Sequence, residues 1–329
     1  MKKHLTSFVC IIALFLSPLS IKGQQFGFYS MYDKNWQVIN PAALNPAFLQ
    51  SDAENVLSAS YRQQWVGVKG SPTSYNVNFE AVRIDSRSNT NPKYGMGLYG
   101  ESAGALSANT IYFNYAYPLS FGNSYVATDK LYLGFNAGYL YQRINIGNLR
   151  FENGVDETID NILKSQASLG TQSFFELTPG LFYTNGQSFY LGLSAPRLLT
   201  AGKLKEGFKI LNQRPQFHLI TGFYNDERTV QPSLWVRWQP GIEYVSLIPQ
   251  SPLSATAHFK SQITEELTLG LGVSTSRWVH FEVAWQLGGD SRSMNASKPI
   301  FVSFNYDLPF YKSGLNLGQT VEINLLFYL

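Results

Sequence analysis

Ionic side chains are scarce in this chain. Asp, Glu, Lys and Arg make up 14% of its 329 residues, against about 25% in an ordinary soluble domain. Aromatic residues are abundant by contrast, at 15%. A disordered chain shows the opposite balance and is excluded. Cysteine is nearly absent. Its one occurrence, Cys10, lies in the first 23 residues. The rest of the chain can build no disulfide framework, thiolate metal site or cysteine nucleophile. Long apolar runs are missing too: the longest unbroken one, Phe8 to Leu16, has nine residues. A membrane-spanning helix needs about 20, so a helical membrane protein is excluded. No GxSxG, P-loop, HExxH or EF-hand spacing occurs, and no catalytic residue is assigned.

The apolar run has a recognisable setting. Lys2 and Lys3 precede it, Ser17, Pro18 and Ser20 break it, and Gly23 supplies a small residue before Gln24. This is the layout of a secretory signal peptide over residues 1–23, with cleavage expected after Gly23. An uncleaved anchor is the alternative, and the shortness of the run opposes it. Cys10 follows Val9 and lacks the small-residue context of a lipoprotein cleavage site. Loss of the segment removes Lys2, Lys3 and Lys22. Lys+Arg then falls from 25 to 22 and equals the 22 acidic residues. The formal charge of +3 therefore belongs to the export signal, and no nucleic-acid partner is expected.

Beyond residue 53 the dominant pattern is alternation with period two, the mark of strands with two unlike faces. Tyr75, Val77, Phe79 and Ala81 alternate with Asn76, Asn78 and Glu80, and Val279, Phe281, Val283 and Trp285 alternate with His280 and Glu282. Fourteen such segments are read: 54–66, 73–83, 93–102, 108–118, 130–144, 174–185, 187–196, 215–225, 230–239, 252–262, 266–276, 278–287, 299–309 and 319–328. Most run for about 10–12 residues. That suits membrane-crossing strands of about 9–11 better than globular strands of about 5–6. The polar face is mostly Ser, Thr, Asn, Gln and Gly, where a soluble sandwich would carry charge. The reading is all-β: an antiparallel transmembrane outer-membrane β-barrel over residues 54–329, with about 14 strands (12–16 as the range). A secreted β-sandwich or β-propeller is the alternative. Tyr94 and Tyr99, Tyr115 and Tyr117, Trp235 and Trp238, and Tyr306 and Phe310 are read as interfacial girdles.

Three regions are read as non-strand. Residues 24–53 form an Asn/Pro-rich periplasmic or plug segment, 145–173 a long connection with a short amphipathic helix after Asp156, and 197–214 a basic loop. The GxGxxG at Gly95, Gly97 and Gly100 lies inside a strand pattern. It therefore lacks the strand-turn-helix setting that a nucleotide site needs.

The histidines that remain are His218, His258 and His280. With Glu80, Arg237, Lys260 and Glu282 they fall on the polar face, which makes all seven candidate lumen-facing residues. Their spacing along the chain matches no metal-binding pattern, so neither a metal nor another cofactor is expected. Lumenal ion pairs or networks are expected instead.

One stretch is more specific. Asn40-Pro41-Ala-Ala-Leu44-Asn45-Pro46-Ala47, followed by Tyr61-Arg62-Gln63-Gln64-Trp65-Val66-Gly67 and Gly70-Ser71-Pro72, resembles the PorP/SprF family of Bacteroidota outer-membrane proteins. Gly180-Leu-Phe-Tyr183 with Phe189 to Leu199 agrees, as do Asn305-Tyr306-Asp307, Ser313-Gly314 and Glu322-Ile323. The departures are Phe48-Leu49, where the family often has an Ala-Gly step, and a chain end on Leu329 instead of an aromatic residue. The resemblance implies a non-enzymatic barrel tied to type IX secretion and gliding motility. Its implied partners are outer-membrane lipid, other secretion components and a secreted cargo protein. Asn40, Pro41, Leu44, Asn45, Pro46, Arg62, Gln63, Gln64 and Trp65 are the candidate partner-binding residues. The prolines alone indicate an extended, turn-rich stretch ahead of the first strand. Such a stretch suits a plug or a dock, or equally a loop packed under the barrel. The competing functional reading is a passive or ligand-specific channel.

Overall fold

A computed structural model describes residues 55–68, 70–82, 91–103, 106–120, 129–144, 171–185, 189–202, 215–223, 230–238, 253–275, 278–288, 298–309 and 318–329. Fifteen strands follow in chain order. They are β1 (Val56–Gln63), β2 (Thr73–Val82), β3 (Lys93–Ala103), β4 (Leu106–Ser120), β5 (Lys130–Ile144), β6 (Thr171–Thr184), β7 (Phe189–Ser194), β8 (Leu199–Ala201), β9 (Phe217–Phe223), β10 (Gln231–Trp238), β11 (Leu253–Gln262), β12 (Leu267–Ser274), β13 (Trp278–Leu287), β14 (Ile300–Pro309) and β15 (Thr320–Tyr328).

Each strand pairs antiparallel with its sequence neighbours, except that β7 pairs with β9 and β8 lies beyond β7 on β6. β5 pairs with β6, and β1 pairs with β15 along its whole length, from Val56↔Tyr328 to Gln63↔Val321. The sheet therefore closes into a ring of fourteen strands, with β8 as a short flange. Closure gives each of the fourteen ring strands a partner on both sides, which hydrocarbon requires of a spanning sheet, while β8 pairs with β6 alone. The even count brings the start of β1 and the end of β15 to one side. β5 and β10 end on the opposite side, level with the end of β1.

Alternation decides which face goes where. The exposed large apolar side chains of the ring strands lie on one face: Met96 is 59% exposed, Ile111 60% and Phe175 64%. The opposite face is buried and polar, with Ser58, Asn76, Asn114, Asn136, Thr268, Ser303 and Asn324 all hidden. A soluble barrel would bury its apolar face, so this one is inside out and fits a lipid surround. No helix among the described residues is long and apolar enough to cross a membrane. A barrel crosses with strands.

Several sequence expectations change. The regions 145–173 and 197–214 were expected to be free of strands, yet β6 begins at Thr171 and β8 occupies Leu199–Ala201. Backbone pairing of Leu199–Ala201 with Phe175–Leu177 supplies the order that the side-chain pattern of so short a stretch could not reveal. Tyr99 and Trp235 are not girdle residues. Tyr99 pairs with inward Asn76 and donates to Glu101 at 2.8 Å, while Trp235 pairs with buried Ile220 and packs on the His218 ring. The reason is parity: residues five or three apart on a strand take opposite faces, so Tyr94 and Trp238 point out while their partners point in. Tyr94, Tyr115 and Phe135 form an aromatic row on the outer face, at ring separations of 5.4 and 5.5 Å. The helix expected after Asp156, along with Phe310, falls outside the described residues.

Candidate functional site

The inner wall concentrates its charge where the first and last strands meet. The pairing registers define two adjacent rungs. One runs Lys260, Gly270, Glu282, Asn305, Glu322, Arg62 from β11 round to β1. The other runs His258, Gly272, His280, Asp307, Thr320 from β11 to β15. Six strands thereby place five charged side chains and two histidines side by side inside the barrel.

Arg62 anchors one end. Its Nη1 donates to Glu322 Oε2 at 2.8 Å and its Nη2 to Asp307 Oδ2 at 2.6 Å. The three side chains are 1%, 0% and 4% exposed. The fork of the guanidinium thus reaches the last strand and the one before it, locking β1 across the closing seam. Asp307 also bonds His280 Nδ1. At the other end the Lys260 ammonium donates to Glu282 Oε1 at 3.1 Å and lies 3.0 Å from Oε2.

Lys260 and Glu282 sit two strands apart, as do His258 and His280. Neighbouring strands are about 4.8 Å apart, so a side chain on the strand between them would normally separate each pair. β12 has none there. A Cβ on Gly270 would come 2.8 Å from His258 Cε1, and one on Gly272 would come 2.8 Å from His258 Cδ2. The two glycines let side chains of β11 and β13 meet over bare backbone. The His258 and His280 rings approach edge-on at 5.4 Å between centroids.

A second network, built mainly of Asn and Tyr around Glu80, continues around the wall. Asn78 donates to Glu80 at 2.8 Å, Tyr112 reaches Asn76 at 3.2 Å, and Asn136 donates to Asn114 at 2.7 Å.

The candidate lumen-facing residues separate into groups. His258, Lys260, His280 and Glu282 converge as described. Glu80 is buried in the Asn network. His218 and Arg237 are buried as a cross-strand pair of β9 and β10, outside the two charged rungs. Asp307 and Glu322 complete the cluster, yet they were not among the residues singled out for the wall. The signal that could have found them is an acidic residue on the polar face of each of the last two strands.

The candidate partner-binding residues are divided as well. Asn40, Pro41, Leu44, Asn45 and Pro46 lie outside the described residues. Arg62 is engaged in the seam, Gln63 is half-buried on the outer face and Gln64 is buried. Trp65 takes a φ of 52° at the start of the β1–β2 turn, a left-handed conformation uncommon for a bulky residue. The turn is well tied: Gln64 N donates to Pro72 O and Val66 N to Gln319 O, both at 2.8 Å. Val66 and Val68 stand exposed at its tip.

Comparison with known proteins adds the following. The family model described as "Type IX secretion system membrane protein PorP/SprF" matches residues 24–327. No curated protein matches. Solved structures with some likeness include the Pseudomonas putida toluene transporter TodX (11% identity, 88% of this chain and 93% of that one, TM-score 0.44). The CymD monoaromatic hydrocarbon channel is another (10% identity, 88% and 91%, TM-score 0.48). A third is outer membrane phospholipase A from Escherichia coli (8% identity, 83% and 90%, TM-score 0.37). Likenesses this distant carry no argument.

Proposed function

Because this chain belongs to the PorP/SprF family of type IX secretion system membrane proteins, we propose that it is a non-enzymatic outer-membrane barrel that assists type IX secretion or surface display of cargo. The cargo would be of the gliding-motility adhesin kind, in a bacterium of the Bacteroidota, and the barrel would act by docking cargo or periplasmic machinery. The single observation that carries this reading is the family match across nearly the whole chain. The match begins at residue 24, the first residue after the expected cleavage site, which supports export through a signal peptide removed after Gly23. An Asn/Pro-rich segment at 24–53 would then precede the barrel.

For contacts we assign two regions. One is the segment around Asn40, Pro41, Leu44, Asn45 and Pro46, ahead of β1 in sequence. The other is the β1–β2 turn, where Trp65 with exposed Val66 and Val68 forms the contact surface while Arg62, Gln63 and Gln64 hold the turn on the barrel. The turn and the start of β1 lie at opposite ends of the strand. This arrangement suits one contact on each side of the membrane.

A passive channel remains the second reading, but the wall does not favour it. Inner-face residues on strand after strand are buried, whereas a wide aqueous pore would leave its lining wet. The test replaces Asn45 and Trp65 with Ala together. Surface display of the cognate cargo should fall while barrel levels stay normal. Unchanged display would overturn the docking role.

A further inference from the structure

We propose that His258, His280 and Glu282 form a binding site for a first-row divalent transition-metal ion, represented by Zn2+, inside the barrel. The proposal is independent of the secretion role. One ligand atom from each of the three residues lies within 4.8 Å of the others, and all three residues are buried. Both ring nitrogens of His258 and Nε2 of His280 are buried without a hydrogen-bond partner, while Oε2 of Glu282 has only the Lys260 ammonium at 3.0 Å. Leaving one buried polar atom unmet costs about 1–3 kcal/mol. Three in one place therefore require an explanation. His258 Nε2 lies 3.9 Å from Glu282 Oε2, too far for a hydrogen bond between them.

The donor set specifies the ion class. Two imidazole nitrogens and one carboxylate oxygen suit Zn2+ and its transition-metal neighbours, while Ca2+ and Mg2+ favour all-oxygen sites. The surroundings resemble those of a metal site. His280 gives its Nδ1 to Asp307, which leaves Nε2 for an ion, and a carboxylate behind a ligating histidine is the usual means of orienting it. Arg62 holds Asp307 in turn. Lys260 holds Glu282 and competes with an ion for its charge. Two cations, Arg62 and Lys260, face three carboxylates, Glu282, Asp307 and Glu322. Gly270 and Gly272 make the assembly sterically feasible. A side chain at either would collide with the His258 ring.

The experiment uses the full mature chain, free of any histidine tag and purified in detergent without chelator. Metal content is measured by mass spectrometry. The protein is then stripped and titrated with Co2+, followed by its visible absorption, and with Zn2+ in competition. About one ion per chain is expected. His258→Ala or Glu282→Gln should weaken Co2+ binding at least tenfold, and His218→Ala should leave it unchanged. Asp307→Asn, a positioning change, should weaken it by about 10–100-fold. Heat-modifiable gel migration reports whether each variant has formed its barrel. Folded His258→Ala with wild-type affinity would overturn the site. So would a folded wild-type barrel that takes up neither ion, and this last result decides even if every variant fails to assemble.

Discussion

Replacing Arg62 with Met tests whether the closing seam is locked by charge. The guanidinium reaches Glu322 at 2.8 Å and Asp307 at 2.6 Å, and all three side chains are shielded from water. Met retains most of the length and apolar volume of the stem but removes the charge. Asp307 keeps its bond to His280, yet both carboxylates lose the cation that offsets their burial and their mutual repulsion. Removing one partner of a buried ion pair costs about 3–5 kcal/mol, most of it from the charge left behind. The same reasoning sets the sign of a compensating change. Asp307→Asn and Glu322→Gln added to Arg62→Met neutralise the stranded charges, and the triple variant should recover most of the loss. The assay is urea unfolding of the barrel in phospholipid vesicles, followed by tryptophan fluorescence. An unchanged urea dependence would confirm that the same surface is exposed on unfolding. An Arg62→Met barrel within about 1 kcal/mol of wild type, below the range for a buried pair, would refute the seam lock. A triple variant no more stable than the single one would refute the charge argument.

Other outcomes are expected. Phe113, exposed mid-strand on β4, should face hydrocarbon, so Phe113→Arg should cost about 2–4 kcal/mol in the same assay; a neutral result would contradict the face assignment. Gly272→Val would drive a side chain into the His258 ring. It should destabilise the barrel by about 1–3 kcal/mol through overpacking, while Val at exposed Leu271 next to it should cost clearly less. The Asn45→Ala, Trp65→Ala double variant should lower cargo display at normal barrel levels, read by surface proteolysis of whole cells. N-terminal sequencing of the outer-membrane protein should begin at Gln24, and a chain starting at Met1 would contradict cleavage.

Much of the barrel was legible in the sequence because period-two alternation records a two-faced strand directly. The alternation around Tyr75 and Phe281 placed those residues outward and Asn76 and Glu282 inward, and the structure arranges them so. Ring closure in a fourteen-strand order is a long-range property. It was inferred from the even count and the needs of hydrocarbon, and the β1–β15 register realises it. Two of the four girdle pairs, Tyr94 with Tyr99 and Trp235 with Trp238, straddle the wall, because residues an odd number apart on a strand take opposite faces. β8 was missed because three residues carry too little pattern. The charged cluster was legible only in part. Each of His258, Lys260, His280 and Glu282 could be put on the polar face, but their meeting depends on strand register and on two glycines between them. Spacing along one strand cannot show a constellation that is assembled across six.

Engagement of type IX partners is the proposed work of this barrel. It is tested most directly by isolating the protein from native outer membranes in mild detergent and identifying what accompanies it, with the Asn45→Ala, Trp65→Ala chain as the comparison. A type IX component or a secreted cargo should accompany it in near-stoichiometric amount and be depleted in the variant. A barrel that purifies alone and conducts ions in a planar bilayer would contradict it.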